Sequence, residues 1–109
     1  MTTRPLAESV TVSFEAGGRA IASLSPSRSY ERWRITLTAI RTTSESQTRF
    51  SEYRFSESPS NLVEGTETGN LNSSDSVVEV EPGESLVYVW EGGTPGASAT
   101  VTVRGERML

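Results

Sequence analysis

Carboxylates are the side chains of this sequence best suited to chemistry, because His, Lys and Cys are absent. Without His, the sequence lacks the usual general base and the commonest transition-metal ligand. Without Cys and Lys, it can form neither a thiolate nucleophile nor a Ser-Lys dyad or Schiff base. Glycoside hydrolysis by two carboxylates and the binding of a hard cation through oxygen atoms are the chemistries that remain.

One acidic segment has the composition of a cation-binding loop. It carries five oxygen-bearing side chains within twelve residues: Glu64, Glu67, Asn70, Asn72 and Asp75. Calcium takes about six to eight oxygen ligands, but this spacing matches no EF-hand loop. Asn and Asp side chains also stabilise turns by bonding to nearby backbone groups. We therefore favour a solvated loop over a calcium site.

A second acidic group, formed by Glu79, Glu81 and Glu84, lies on or beside a tight turn. Two carboxylates from either group could hydrolyse a glycoside if they faced each other about 5–10 Å apart in a cleft. A domain of this size has little room for a deep cleft, and charges beside a turn keep a sheet edge soluble. We therefore expect a protein that is not an enzyme, with no catalytic residue, cofactor or metal site.

Length and charge narrow the remaining functions. The chain has 109 residues, of which 34% are hydrophobic and 30 are Ser or Thr. This length suits one domain with a single core. The net charge of −4 argues against nucleic acid as a partner, because phosphate binding needs a basic face. No stretch approaches the ~18–20 apolar residues of a membrane span, and the first residues lack the hydrophobic core of a cleaved signal.

Alternating apolar and polar residues predict β-strands along most of the chain. In the strongest of them, residues 32–40, the pattern places Trp33, Ile35, Leu37 and Ala39 on one face. Residues 86–90 are apolar on both faces, which indicates a central strand. Residues 56–75 are predicted to be a loop with at most a very short strand. The other predicted strands cover residues 10–14, 20–24, 49–55, 77–80 and 99–103.

Seven to eight short strands at this spacing predict an all-β protein, a two-layer antiparallel β-sandwich of the jelly-roll or immunoglobulin-like kind. The sandwich is predicted to span residues 10–103. Residues 1–9 are predicted to form an N-terminal arm and residues 104–109 a C-terminal tail, because their apolar residues fit no strand pattern. Such ends are disordered in many monomers, but in an assembly they can pack on a neighbour.

Aromatic and basic residues offer the candidate contacts with a partner. Trp33 and Trp90 are predicted to be core residues whose N–H groups find backbone acceptors. An Arg cluster around Tyr30 could pair with carboxylates of a partner, or it could be a solvated strand face matched by acidic residues of a neighbouring strand. With the apolar ends included, the predicted contact residues are Arg4, Leu6, Arg28, Tyr30, Arg32, Arg34, Met108 and Leu109.

The order of turns and core positions over residues 17–105 resembles small β-rich structural proteins of tailed bacteriophages that infect actinobacteria. A Pro-led turn at Pro26 is followed by the Trp33 strand and by the loop Gly65-Thr66 to Thr68-Gly69-Asn70. Then come the turn Glu81-Pro82-Gly83-Glu84 and the hairpin Trp90-Glu91-Gly92-Gly93-Thr94-Pro95-Gly96-Ala97. The resemblance carries over no catalytic residue.

This resemblance implies a non-enzymatic virion structural protein, made in the bacterial host cytoplasm. We expect a capsid decoration protein on the outer surface of the shell, with the major capsid protein or other virion proteins as partners. The alternative is a minor tail or baseplate protein that binds a host-surface glycan. We expect a homo-oligomer, and a trimer would match the three-fold positions of a capsid lattice.

Overall fold

The structure is a computed structural model that describes residues 2–109, except for the side chains of residues 64–67. Nine strands and one turn of 3₁₀-helix at Pro59–Asn61 follow one another along this part of the chain. No helix within it is long and apolar enough to cross a membrane. The strands are β1 (Thr3–Ser13), β2 (Ala20–Leu24), β3 (Arg32–Thr42), β4 (Arg49–Arg54), β5 (Leu62–Thr68), β6 (Leu71–Ser74), β7 (Val78–Val80), β8 (Leu86–Glu91) and β9 (Ser98–Met108).

The strands form two antiparallel sheets, which confirms the predicted all-β sandwich. Sheet 1 has the order β1-β9-β3-β6, with β7 also pairing with β3, and sheet 2 has the order β2-β8-β4-β5. Strand β8 lies between β2 and β4, as its apolar character on both faces predicts. The turn between β7 and β8 is closed by a hydrogen bond from Glu84 N to Glu81 O at 3.0 Å, with Gly83 at a φ of 84°. A positive φ at this position is the reason that a type II turn favours glycine.

Aromatic residues fill the space between the sheets. Trp33, Tyr88 and Trp90 are at most 3% exposed, so the prediction that both tryptophans are core residues is confirmed. The predicted backbone acceptor is wrong for Trp90, whose N–H has no hydrogen-bond partner within the described residues. The Phe50 ring stacks on Tyr88 with ring centres 6.1 Å apart and lies 5.3 Å from the Trp90 ring. Tyr88 and Trp90 are therefore core residues of sheet 2, closed to a sugar ligand.

A β-bulge in β3 overturns the predicted face of two residues. Ile35 lies opposite Gly105 and Leu37 opposite Arg104, so Thr36 is an extra residue with no partner of its own in β9. One inserted residue reverses the alternation. Trp33 and Ile35 point inward as predicted, but Leu37 and Ala39 are half-buried, and Thr38 and Ile40 take the buried positions instead.

The bulge requires glycine at position 105. A Cβ atom placed on Gly105 would lie 2.0 Å from Arg34 O, which is closer than any real contact. The backbone of β9 can therefore approach β3 only where no side chain intervenes.

The predicted boundaries of the N-terminal arm, residues 1–9, and of the C-terminal tail, residues 104–109, do not coincide with the ends of the strands. Strand β1 begins at Thr3 instead of residue 10, and β9 ends at Met108 instead of residue 103. The two pair without interruption from Thr3 with Met108 to Ser13 with Ser98. Thr2 and Leu109 continue the pairing, because each backbone N–H donates to the other residue's carbonyl at 3.1 and 2.8 Å.

The segment predicted as a long loop, residues 56–75, contains two strands. Strand β5 pairs with β4, with irregular register at two points, and β6 pairs with residues Thr38–Arg41 of β3. Both are polar and lie at sheet edges, so they lack the apolar alternation from which a strand is predicted.

Candidate functional site

The long strands of sheet 1 bring most of the predicted contact residues to one end of the sandwich. Met108 lies opposite Thr3 on one side and opposite Arg32 on the other. Arg4 follows Thr3, and the loop of residues 25–31 leads directly into Arg32. We call this region the terminal end, and define it by Arg4, Arg28, Tyr30, Arg32, Met108 and Leu109.

A buried carboxylate organises the loop at the terminal end. Glu31 is 1% exposed, and its Oε2 accepts a hydrogen bond of 2.8 Å from Trp33 Nε1. Its backbone N–H donates to Arg28 O at 3.1 Å and closes a turn. This turn leaves Arg28 exposed and Tyr30 61% exposed. The acceptor of the Trp33 N–H is thus a side chain, where the sequence led us to expect a backbone group.

Part of the Arg cluster is matched by acidic residues of neighbouring strands. Arg32 Nε forms an ion pair with Glu81 at 3.1 Å. Arg34 lies in β3 directly opposite Glu79 of β7 and Glu106 of β9. Arg32 and Arg34 therefore fit the interpretation of this cluster as a solvated strand face matched by acidic residues of neighbouring strands.

Two cations at the terminal end remain without a counter-charge. Arg4 and Arg28 are exposed, and neither forms an ion pair or side-chain hydrogen bond with the residues whose side chains are described. Together with Tyr30, they give this end a positive and aromatic surface on a chain of net charge −4. Arg and Tyr are enriched in protein–protein interfaces, where they pair with carboxylates and bury large areas.

The predicted contact role of Leu6 is wrong. Leu6 is 2% exposed and belongs to the core cluster, because it lies on the inward-facing side of β1. Met108 and Leu109 are half-buried. In the same strand pair, Arg107 forms an ion pair of 2.8 Å with Glu8. The apolar residues at the two ends thus pack within this chain, at least in part.

The carboxylates beside the β7–β8 turn hold the turn together. Glu84 accepts hydrogen bonds from Arg54 at 2.8 Å and from Glu81 N at 2.7 Å. Arg54 also donates to Glu79 O at 2.8 Å, and Glu81 pairs with Arg32. The arrangement fastens the turn to strands of both sheets.

The acidic segment considered as a cation-binding loop is shaped by Asn70. Its Oδ1 accepts hydrogen bonds from Thr48 N at 3.1 Å and Thr48 Oγ1 at 2.9 Å. Its Nδ2 donates to Ser44 O at 3.1 Å and to Ser46 O at 2.8 Å. These four bonds use the hydrogen-bonding capacity of the amide, so its oxygen is already committed within the chain.

The other oxygen-bearing residues of this segment form no cluster with Asn70 among the described side chains. The side chains of Glu64 and Glu67 lie outside the described residues, and Asn72 Oδ1 accepts from Ser73 N at 3.0 Å. Among the side chains that are described, no three acidic, His or Cys groups lie together as a metal site would need.

The outer face of sheet 1 carries a hydroxyl surface that the sequence analysis did not single out. Ser9 bonds to Thr102 at 3.2 Å, and Thr11 bonds to Thr100 at 2.8 Å across β1 and β9. Beside these pairs runs a groove of about 400 Å³. The sequence feature that indicates this surface is the alternation of Ser and Thr with apolar residues in β1 and β9. The groove residues are Ala39, Ile40, Arg41, Thr43, Leu71, Ser98, Thr100 and Thr102.

A titratable pair is buried between the sheets. Glu52 of β4 and Tyr88 of β8 are directly opposite each other, and both are 0% exposed. Burial, and to a lesser degree the negative charge of Glu52, raise the pKa of Tyr88 well above its ordinary value. The Tyr88 hydroxyl has no hydrogen-bond partner within the described residues.

Comparison with known proteins adds no relative. No protein-family model matches the chain, and no curated protein matches it significantly.

Proposed function

We propose that this protein is a non-enzymatic structural protein of a bacteriophage particle, a capsid decoration protein that binds the outer surface of the assembled shell. The observation that carries the proposal is the terminal end, where Arg4 and Arg28 have no counter-charge among the described side chains and Tyr30 is 61% exposed. Such a surface fits an acidic and partly apolar patch on a protein partner. The major capsid protein is the partner that we propose.

The residues that carry the sequence resemblance support the proposal at the level of the fold. Trp33 and Trp90 are core residues, and Gly83, Gly92 and Gly96 have positive φ angles. They act in turns and in packing, as expected of a structural protein. The phage assignment itself rests on the resemblance.

Binding of this kind stabilises a shell by mass action, because the decoration protein binds assembled subunits and not dissociated ones. On a repeating lattice, many weak contacts combine, so each copy needs only a modest interface. The terminal end is compact enough for such an interface, since one loop and three strand ends form it.

The decisive first experiment measures the copy number of the chain in purified particles, by quantitative mass spectrometry against the major shell protein. Many copies per particle, in a fixed ratio to the shell subunit, are expected. A handful of copies would instead favour the alternative, a minor tail or baseplate protein that presents Tyr30 to a host glycan. Absence from particles would overturn the virion assignment.

A second experiment tests the terminal end itself. Particles that lack the protein are incubated with purified variants, and the bound fraction is measured after sedimentation. Arg28→Glu and Tyr30→Ala should each raise the dissociation constant for particles at least about tenfold, the scale of an interface residue worth more than 1 kcal/mol. Arg41→Glu is the matched control, because Arg41 is also exposed but lies on the outer face of sheet 1. If Arg41→Glu weakened binding to particles as much as the other two variants, the terminal end would not be the binding surface.

A further inference from the structure

Strand β1 is a long sheet edge that, within the described residues, forms backbone ladder hydrogen bonds on one side only. It pairs only with β9 in the described chain, and it does so over eleven residues without a register shift. The other edges are less regular: β2 has five residues, β5 is interrupted twice, and β6 and β7 are two short pieces. Backbone N–H and C=O groups on such an edge are free to pair with another strand.

Protection against pairing is confined to the first half of β1. Arg4, Pro5 and Glu8 are residues that discourage edge-to-edge contact. Residues 9–13, with the sequence Ser-Val-Thr-Val-Ser, contain no charge, proline or glycine. β-branched residues at their centre favour an extended strand. The second half of β1 is therefore the part of the edge that is open to a partner strand.

This segment is complementary to itself. An antiparallel pair centred on Thr11 places Ser9 opposite Ser13 and Val10 opposite Val12, so that hydroxyls face hydroxyls and valines face valines. Cross-strand Thr and Ser pairs of this kind already exist within the chain, where Thr11 bonds to Thr100 at 2.8 Å. Pro5 lies outside the paired stretch, because residues 3–7 extend past the end of the partner's strand.

The inward-facing valines support the same pairing. Val10 and Val12 pack against the core but remain only half-buried. A second β1 strand would cover them from the open side, and burial of apolar surface would add to the hydrogen bonds of the new strand pair.

From these observations we infer that the protein forms a symmetric dimer in solution by antiparallel pairing of β1 with β1 of a second copy, with the two-fold axis at Thr11. The two copies of sheet 1 then become one continuous sheet, joined through an isologous interface. The dimer is independent of the virion assignment, and it differs from the trimer expected from the sequence.

The test uses the purified full-length protein in the absence of any particle. Sedimentation velocity across a wide concentration range should show a monomer–dimer equilibrium. Thr11→Glu and Thr11→Arg each bring like charges together at the two-fold axis, so each should weaken the dimer by at least about tenfold. A mixture of the two variants places opposite charges at the axis and should restore a dimer. Ser73→Glu, exposed at the opposite edge of sheet 1, should dimerise like the parent.

Three outcomes would overturn the inference: a parent protein that stays monomeric, a dimer unaffected by Thr11→Glu, or a mixture that stays monomeric while both variants are folded. Circular dichroism of each variant verifies its folding. A negative result in the dimer test does not affect the proposed particle binding, because the Arg28 and Tyr30 variants test that binding separately.

Discussion

Glu31 and Trp33 form a hydrogen bond of 2.8 Å between two buried side chains, and this bond fixes the loop that presents Tyr30. The two residues are neighbours on the same side of an extended chain, so the bond is local. It nevertheless joins the start of β3 to the turn at Arg28. A buried indole N–H without an acceptor is costly, because it loses its hydrogen bond to water.

Removal of this acceptor should destabilise the protein. Glu31→Ala leaves the Trp33 N–H unsatisfied and should lower the free energy of unfolding by about 2–3 kcal/mol, within the range for a buried donor left without a partner. Glu31→Gln keeps an acceptor oxygen at the same position, so its loss should be about 1 kcal/mol. Urea unfolding followed by Trp fluorescence measures both. Equal losses for the two variants would show that the hydrogen bond does not hold the loop.

Close approach of two strands at the bulge gives a second prediction. Gly105→Ala places a Cβ 2.0 Å from Arg34 O, so the strands must separate, and the free energy of unfolding should fall by about 3 kcal/mol or more. Gly17→Ala is the matched control, since its Cβ would meet no atom within 4 Å. The control should change stability by less than about 0.5 kcal/mol. Chemical denaturation of both variants, with soluble yield as a second readout, checks this. Similar stabilities would mean that the bulge tolerates a side chain.

The same bulge shows where prediction from the sequence ends. Alternation predicted strands close to the observed bounds of β2, β4 and β8, where β2 and β4 both pair with β8 without a register shift. In β3 the alternation reverses after Thr36 because of the contact with Gly105, which lies far away along the chain. The residues around Thr36 give no indication of the contact with Gly105. Leu37 and Ala39 were therefore assigned to the wrong face.

The candidate site was predictable in its residues but not in their pairing. The Arg-rich segment around Tyr30 was visible in the sequence, and so was the possibility that acidic strands match it. Which Arg side chains remain free depends on the register of β3 with β7 and β9. Leu6 was misassigned because its core partners lie in other strands, so that its own neighbours, Pro5 and Ala7, gave no sign of burial.

The Tyr88 hydroxyl should contribute nothing to stability at neutral pH. It is buried without a hydrogen-bond partner in the described chain, so Tyr88→Phe should leave the free energy of unfolding unchanged or raise it by up to about 1 kcal/mol. The parent and the variant are compared by urea unfolding at pH 7. A loss of more than about 1 kcal/mol in the variant would show that the hydroxyl has a stabilising partner.

Alkaline pH should separate the same two proteins. The pKa of Tyr88 is raised in the folded state by burial and by Glu52, whereas the unfolded chain releases this proton near pH 10. Above that pH the unfolded state binds fewer protons than the folded state, so stability falls as pH rises, by up to about 1.4 kcal/mol per pH unit. Tyr88→Phe lacks this contribution, so its stability should decline less steeply between pH 10 and 12 when both are followed by thermal unfolding. Parallel declines would contradict the raised pKa.

Asn70 should be more important to the fold than any ion bound near it. Asn70→Asp replaces the Nδ2 amino group, which donates to Ser44 O and Ser46 O, by one carboxylate oxygen that cannot donate. The variant should lose about 2–4 kcal/mol of unfolding free energy. Asn61→Asp is the control, because the Asn61 side chain donates to Ser56 at the surface, and it should lose less than about 1 kcal/mol. Since the Asn70 oxygen already accepts from Thr48, neither calcium nor a chelator should shift the melting temperature of the parent. A rise in the melting temperature of the parent with calcium that Asn70→Ala abolishes would identify this loop as a cation site.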